Sequence, residues 1–572
     1  MIQTLQTPKQ DPAHSFSLGA SITDATEWLD SLPGLSSDEA ASMILPVLLE
    51  ANRSVLGAEF RRELLQRLND LAAPAIAVLR EKYLSSYPPM STKKDVERVL
   101  LVRRLLEELG YGYKILIAEY ARAGASDAAQ QAEAIFFSLH TLGVLLLDHY
   151  AMYEPVGDNL WGELNLLYRI ALKGNLQARI VPRAPRGDDT VESAYKHLVL
   201  LAVINPYRLS PGEVEKAYQI LAQWRHDCAL ENPPAGGVSR GEVIIDLAGE
   251  EPPRYLRAER PLADLMQPRV VNVEKIKTRL AQLKSEIEHK SHAAGVEGIT
   301  LRLQRDMLQR LLDGWRSQEA RHGSRRRHPE ALSLAIGLDA CHELQGRDMP
   351  AASGSPTVKT VTGGALRLMT EAEDLTARGH VPVSSGKPKF GVIDKSSQDV
   401  WDEGALRYTP AEEKGPPLLE VKREDVSEGG YGLMLDQAQS AQLRVGDLVS
   451  LRAAGKSKGL WAIGDLRWLQ KQPDGATLCG VRLLAGRATP LEVKALKGVG
   501  AGGQILKALL IPADGFDLPE ASLLLPPGLY DTGTTVHLRC ADRLFLVELG
   551  KKVESTHDFA RFAYRILQAG RM

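Results

Sequence analysis

Three residues in the second half of this 572-residue chain have the types and the spacing to recognise a small polar ligand. Asp425, Ser427 and Gly430 stand between two short apolar runs of the kind that form β-strands. Because side chains alternate along a strand, we expect Asp425 and Ser427 to share one face. A carboxylate there can accept hydrogen bonds from the N–H groups of a base, a hydroxyl can donate or accept, and a glycine lets a flat ligand approach the backbone. The same residue types are common in ordinary turns, so a plain turn is the alternative interpretation.

A basic run upstream, RHGSRRRHP at residues 321–329, has the complementary chemistry. It directly precedes another apolar run, residues 331–338. Arginine makes bidentate hydrogen bonds to phosphate and to guanine, and its plane can stack on a base. The alternative is a solvated basic linker between a helix and a strand. The presence of both segments in one chain favours a ligand site.

Together these segments resemble the PilZ family, whose small β-barrels bind cyclic di-GMP through an R-x-x-x-R segment before the first strand and a [D/N]-x-S-x-x-G segment after the second. Asp425, Ser427 and Gly430 match the second motif in full. The apolar runs that follow are similar to the later strands of the family's barrel. The resemblance covers residues 321–484 and is interrupted by a long inserted segment.

The first motif fits in two registers. Arg321 and Arg325 have the required spacing, whereas Arg326 stands nearer to the family's usual first arginine but has Glu330 at the fourth position. The resemblance implies cyclic di-GMP as the ligand. The sequence motifs predict no other cofactor, no metal and no catalytic residue. The ligand-binding residues it implies are Arg321, Arg325, Arg326, Asp425, Ser427 and Gly430.

Composition limits the other possibilities. The length predicts three or four domains, and an apolar content of 44% is ample for globular cores. A net charge of -2 argues against bulk electrostatic binding of nucleic acid. The four cysteines are scattered without a C-x-x-C pair, which disfavours zinc or a disulfide framework. Because the N-terminus lacks signal-peptide features and no long apolar run stands out, we expect a soluble cytoplasmic protein without a membrane span.

The fold class predicted is a multidomain α+β protein with a mostly α-helical array or bundle first, then a PilZ-like antiparallel β-barrel, then a small β-rich domain. Ser36 and Glu39 have the spacing of a capping box that opens a helix, although Pro46 lies inside it. Pro74 is expected to kink or end the next helix. Further helices are predicted at residues 96–121, 127–149, 157–173, 190–203 and 211–226.

The domain boundaries follow from changes of pattern. They are a flexible N-terminus at residues 1–20, a helical domain at 21–235, a junction with one short strand and two helices at 236–317, the barrel at 318–344 and 418–495, a flexible insertion at 345–417, and a small β domain at 504–572 closed by a helix at 558–569. The glycine-rich run at residues 498–503 is interpreted as a linker between the two β domains, because it lacks the strand-then-helix context of a phosphate loop.

No catalytic motif accompanies these elements, and the chain is predicted not to be an enzyme. The favoured function is a cyclic di-GMP effector in which the helices at residues 276–316 transmit binding from the arginine run to a helical domain that contacts a protein partner. The alternative is a degenerate barrel that mediates protein interaction without a nucleotide. No specific nucleic-acid partner is indicated.

Overall fold

A computed structural model describes residues 5–85, 92–124, 127–235, 237–239, 241–256, 265–290, 295–316, 326–347, 415–427, 429–455, 460–498, 503–513, 515–516, 518–540 and 543–571. It divides into two compact units. The first unit comprises Met1–Leu280 and Leu311–Arg321, and the second comprises Ala281–Arg310 and His322–Met572.

The first unit is mostly helical, as the sequence predicts. Its helices are α1 Ile22–Ser31, α2 Ser37–Arg53, α3 Ala58–Ser85, α4 Lys93–Ala123, α5 Ala128–Ala151, α6 Leu160–Lys173, α7 Val191–Val203 and α8 Glu213–Trp224. The predicted capping box opens α2, where the Ser36 hydroxyl accepts from the backbone N–H of Glu39 and the Glu39 carboxylate accepts from the N–H of Ser36. This exchange satisfies backbone donors that the first turn of a helix leaves unpaired.

Pro74 does not end α3, which excludes one of the two outcomes expected from sequence, a kink or an end. Pro74 lies inside a helix that continues to Ser85. The apolar stripe on both sides of it is buried, with Leu68 and Leu79 fully inaccessible to solvent. Burial of that stripe stabilises the continuous helix and offsets the loss of the backbone hydrogen bond that Pro74 cannot make.

Helix α5 forms the centre of this packing. Among the described residues it is the one helix long and apolar enough to cross a membrane, and most of it is buried inside the array. Such burial is what a core helix shows.

A four-stranded antiparallel sheet follows α8, where the sequence predicted one strand. The strands are β1 Ala229–Glu231, β2 Val243–Asp246, β3 Arg254–Tyr255 and β4 Pro268–Asn272, in the order β1-β4-β2-β3. Two predicted helices come next, α9 Glu274–Lys290 and α10 Gly295–Arg316. All four strands are short, and the strands other than β2 carry no strong alternation, so their pairing could not be read from local pattern.

The second unit contains two closed six-stranded antiparallel barrels. The first barrel has the order β10-β7-β6-β5-β8-β9. Its elements are β5 Arg326–Ile336, α11 Leu338–Arg347, β6 Leu419–Ser427, β7 Gly430–Leu435, α12 Gln437–Ser440, β8 Leu448–Ala453, β9 Ala462–Lys471 and β10 Thr477–Ala485.

The second barrel has the order β11-β12-β13-β16-β15-β14. Its strands are β11 Thr489–Lys497, β12 Leu506–Ile511, β13 Ser522–Leu525, β14 Thr535–Cys540, β15 Arg543–Ser555 and β16 Ala560–Arg571. The interior is apolar and centred on residues such as Val493, Leu523 and Phe562.

The helix predicted at residues 558–569 is wrong, because this segment is β16. Phe562, Tyr564 and Ile566 are spaced by two residues, and β16 pairs with both β13 and β15. Alanine, leucine, glutamine and arginine in the segment favour helix locally, but closure of the barrel overrides that preference.

Two predicted boundaries also change. The second barrel begins at Thr489 rather than at residue 504, since β11 and β12 pair with each other. The glycine-rich run at residues 498–503 therefore joins two strands of one barrel and is not a linker between domains. The flexible insertion predicted at 345–417 begins too early, because α11 extends to Arg347; residues 348–414 of it lie outside the described residues.

The two barrels share a buried interface. An apolar cluster draws Leu448 and Ile463 from the first barrel, and Leu524 and Phe559 from the second barrel and the turn before β16. The carboxylate of Asp558 accepts from the backbone N–H of Leu448 at 2.8 Å. The two barrels are therefore joined by shared apolar packing and a hydrogen bond.

Candidate ligand-binding site

The two sequence segments with ligand chemistry meet at the junction of β5 and β6. In this antiparallel ladder Arg326 lies opposite Val426, and Arg327 lies opposite Asp425. The start of the arginine-bearing strand is therefore beside the end of the strand that carries Asp425 and Ser427. Arg321 and Arg325 lie outside the described residues. The strand begins earlier than the apolar run at residues 331–338 predicted, because β5 starts at Arg326 and so includes the last part of the basic run.

Irregular pairing shapes this junction. The register between β5 and β6 shifts between Arg327 and Glu330, and the register between β6 and β7 shifts between Arg423 and Asp425. Such bulges bend a strand and turn its side chains to new directions. Arg326 and Arg327 are exposed here, whereas Asp425 and Ser427 are half-buried. The site is thus a solvent-facing basic edge beside a recessed acid and hydroxyl.

Asp425 faces a glycine across the ladder. Gly432 is its Cα partner on β7, and a Cβ atom at Gly432 would lie 2.8 Å from the Asp425 carboxylate. The absence of a side chain at Gly432 leaves space for that carboxylate. Sequence reasoning did not single out Gly432, although the alternation of glycines at 430 and 432 was a usable signal.

Ser427 and Gly430 close the turn between β6 and β7. The Ser427 hydroxyl donates to the carbonyl oxygen of Gly430 at 3.2 Å, so its oxygen keeps its capacity to accept from a ligand. Gly429 accepts from the backbone N–H of Leu483 on β10 at 2.9 Å. A Cβ atom at Gly430 would lie 2.2 Å from the carbonyl oxygen of Val481. Gly430 is therefore required by the backbone of β10, in addition to the ligand access predicted from sequence.

Arg423 is a central residue of the junction that the sequence analysis missed. Its Nε donates to the carbonyl oxygen of His328 at 3.2 Å, and its Nη2 donates to His328 Nδ1 at 2.6 Å and pairs with Glu330 Oε2 at 2.6 Å. The guanidinium also lies over the Tyr431 ring, 5.0 Å from its centroid. Arg423 stands two residues before Asp425 on β6, and that spacing was the available signal.

A buried carboxylate lies on the neighbouring strands. Asp465 of β9 accepts from Arg482 at 2.9 and 3.1 Å and from Arg467 at 3.1 Å. Burial alone would raise the pKa of Asp465, but the two guanidinium groups outweigh it and hold the pKa below its ordinary value. Arg482 lies opposite Gly430 in the β10–β7 ladder and also pairs with Glu554 of the second barrel at 2.6 Å. The motif turn is thus one strand away from an ion pair that joins the barrels.

Aromatic residues of the helical domain do not form a second site. Core packing explains them, because Trp161, Tyr168, Tyr195 and His197 are all buried. Within the described ranges, no group of three or more His, Cys, Asp or Glu side chains is placed to hold a metal ion.

A closed barrel whose arginine-bearing first strand pairs with a D-x-S-x-x-G segment places the middle region of this chain in the PilZ domain family. Comparison with known proteins gives a more specific similarity. Three family models match in succession: the N-terminal domain of the cyclic-di-GMP receptor FimW at residues 23–235, its middle PilZ domain at 243–490 and its C-terminal beta-barrel domain at 491–567.

A curated relative agrees with these models over nearly the whole chain. The cyclic-di-GMP receptor FimW of Pseudomonas aeruginosa strain PAO1 is 26% identical over 567 residues, which cover 96% of this chain and 90% of the relative. No solved structure matches the chain significantly.

Proposed function

We propose that this protein is a cyclic di-GMP-binding effector whose ligand site is the β5–β6 junction of the first barrel. The observation that carries the proposal is the strand register, which sets Arg326 and Arg327 against the segment that carries Asp425 and Ser427. The similarity to a receptor of cyclic di-GMP supports the same ligand. Binding without chemical change of the ligand is part of the proposal.

Each side chain has a distinct role toward a bis-guanylate. Arg326, together with Arg321 and Arg325 from the preceding segment, binds phosphate oxygens and guanine faces, because guanidinium suits both. The Asp425 carboxylate accepts from the N–H groups of a guanine edge, and Ser427 adds a hydroxyl beside it. Gly430 keeps the turn open to a flat base.

The local charge supports an anionic ligand. The guanidinium of Arg423 is already engaged with Glu330, whereas Arg326 and Arg327 are exposed at the strand start. This edge therefore presents two solvent-facing positive charges beside the half-buried Asp425. A local basic edge can attract a small dianion even though the whole chain is close to neutral.

Transmission to a partner is the second part of the proposal. Helix α10 ends at Arg316, and the segment between it and β5 contains Arg321 and Arg325. Within the second unit, α10 is held by the second barrel, because Arg302 Nε donates to the carbonyl of Gly528 at 3.1 Å and Arg305 pairs with Asp531 at 3.3 Å. A ligand that binds these arginines would therefore act on a helix anchored elsewhere, and the helical domain would pass the change to a protein partner.

We also propose that the protein acts in the cytoplasm. All four cysteines are buried as free thiols, which suits a reducing compartment.

Isothermal titration of the full chain with cyclic di-GMP tests the site. The parent is expected to bind, and Asp425→Ala and Arg326→Ala are each expected to weaken binding about tenfold or more, since charge-assisted hydrogen bonds contribute roughly 1.5–3 kcal/mol. Arg565→Ala, which removes an exposed arginine of β16, is the matched control and should bind as the parent does. Binding that is unchanged in both site variants would place the ligand elsewhere.

The same titration decides between the two arginine registers and the alternative function. A larger loss from Arg325→Ala than from Arg326→Ala would favour the register that begins at Arg321. No heat from the parent would favour a scaffold that has lost the nucleotide, a possibility supported by Glu330 at the fourth position after Arg326.

Amide hydrogen exchange tests the transmission. Ligand is expected to slow exchange along α9 and α10 in the parent and not in Asp425→Ala. Equal exchange of both helices with and without ligand in the parent would contradict the coupling.

A further inference from the structure

Arg423 belongs to neither ligand motif, yet it contacts the strands on both sides of its own. It stands on β6, its guanidinium bonds to His328 and Glu330 of β5, and its plane covers Tyr431 of β7. The residue is only 8% exposed. With Nε and Nη2 committed to protein atoms and little surface open, it is poorly placed to bind a ligand directly.

Its contacts fall on the irregular part of β5. The ladder between β5 and β6 is interrupted between Arg327 and Glu330, which leaves His328 outside the regular pairing. Backbone groups in a bulge lose their ladder partners, and Arg423 Nε supplies one to the carbonyl of His328. The planar fork then fixes the His328 ring and the Glu330 carboxylate at the same time.

We propose that Arg423 is a positioning residue of the ligand site, which locks the β5 bulge so that the start of β5, with Arg326 and Arg327, stays beside the Asp425–Ser427 segment. The inference rests on the proposed function and deepens it, because it names a residue outside the motifs on which affinity depends. A fork is needed for this role, since Nε bonds to the carbonyl while Nη2 bonds to the imidazole and the carboxylate, and a single lysine nitrogen cannot occupy both positions.

The geometry also fixes the state of His328. A guanidinium can only donate, so His328 Nδ1 must accept and therefore carries no proton, and in the neutral ring the proton is on Nε2. The tautomer of His328 is thus a spectroscopic signature of positioning by Arg423. A variant that is folded but less stable would not change this tautomer.

Ligand titration of three variants tests the proposal. Arg423→Gln and Arg423→Lys are each expected to lower affinity for cyclic di-GMP roughly tenfold, the loss expected from one charge-assisted contact, with thermal unfolding still cooperative. Lys422→Gln is the matched control, because its exposed side chain stands next to Arg423 on β6 and pairs only locally with Glu424. Parent-like affinity in Arg423→Gln would overturn the proposal, and so would full rescue by Arg423→Lys.

Nitrogen-15 NMR of histidine-labelled protein, assigned with His328→Gln, gives an independent readout. The parent is expected to show an unprotonated Nδ1 at His328, and Arg423→Gln to show a mixture of tautomers. Hydrogen exchange over residues 326–330 should be faster in Arg423→Gln than in Lys422→Gln.

These measurements separate the two claims. A parent that binds no cyclic di-GMP would overturn the proposed function, and the locking of the bulge would still be supported or refuted by the tautomer and the exchange data. If Arg423→Gln does not fold, His328→Gln replaces it. His328→Gln keeps the carbonyl contact and loses the imidazole contact, so a smaller loss of affinity supports the proposal and parent-like affinity overturns it.

Discussion

The two barrels of the second unit have the same number of strands and the same antiparallel pairing, but they place their polar residues differently. The first barrel breaks its ladder at β5 and β6 and gathers Arg326, Arg423 and Asp425 at the break. The second barrel has an apolar interior, which contains a cavity of about 30 Å³ lined by residues such as Leu491, Leu523 and Phe545. A cavity of that size holds roughly one water molecule, far less than a nucleotide needs. Closure and register shifts are common to both barrels, so what marks the candidate site is the set of polar residues gathered at the β5–β6 break.

A mutation in the interior of the second barrel is expected to have the largest effect on stability. Phe562→Ala removes a fully buried ring from the core, and it is expected to lower the free energy of unfolding by about 3–5 kcal/mol. Because the ligand residues lie on the first barrel, affinity per folded molecule should remain that of the parent. Urea unfolding and ligand titration measure the two effects.

The control for this change is Leu567→Ala on the same strand. Leu567 is 38% exposed, and its truncation should cost far less stability. If Phe562→Ala abolished ligand binding in molecules that are still folded, the division of labour between the barrels would be wrong.

A single methyl group added to the first barrel is expected to lower both its stability and its ligand affinity. Gly430→Ala places a Cβ atom 2.2 Å from the Val481 carbonyl, so β7 and β10 must separate locally. We expect a destabilisation of about 1–3 kcal/mol, as for other forced overpacking, and at least a tenfold loss of affinity for cyclic di-GMP.

Gly429→Ala is a closely matched control, since a Cβ atom at that neighbouring glycine meets nothing within 4 Å. Thermal unfolding and titration should find this variant close to the parent. Equal effects of the two alanines would show that the turn needs the backbone flexibility of glycine, and that contact with β10 is not what requires Gly430.

The link between the barrels is tested by removing one charge. Glu554→Gln weakens the pairing of Glu554 with Arg482, which is 2.6 Å away and also holds Asp465. The expected loss in free energy of unfolding is about 1–2 kcal/mol, since Arg482 keeps Asp465 as a partner. Glu548→Gln, at a more exposed pair on the same strand β15, should cost less than about 0.5 kcal/mol. Similar losses in urea unfolding would contradict a special role for the inter-barrel pair.

Local pattern was enough to predict much of this architecture. The capping box at Ser36, the apolar stripes of the long helices and the runs that became β12 to β14 each carry their signal within a few neighbouring residues. The D-x-S-x-x-G segment was likewise visible, because its three residues are close in sequence.

The misses share one physical cause, which is that closure depends on partners far along the chain. β16 has helix-forming residues and becomes a strand because β13 and β15 flank it. Arg423 was overlooked for the same reason, since its partner His328 is 95 positions away. The bulges that bring them together follow from the three-dimensional register and leave no short motif in the sequence.

The smallest expected difference between the barrels concerns acid. His537 of the second barrel is 4% exposed, and burial, helped by Lys494 on the adjacent strand, lowers its pKa below the ordinary histidine value. As the pH falls through that ordinary value, His537 binds a proton in the unfolded chain but stays neutral in the folded barrel. The stability of the folded barrel therefore declines with falling pH. His537→Phe should reduce this decline. Urea midpoints of the second barrel at pH 7.5 and 5.5, read from hydrogen exchange of β14 and β15 at one fixed labelling pH, measure the difference. An identical decline in the parent and in His537→Phe would assign the acid sensitivity to another group.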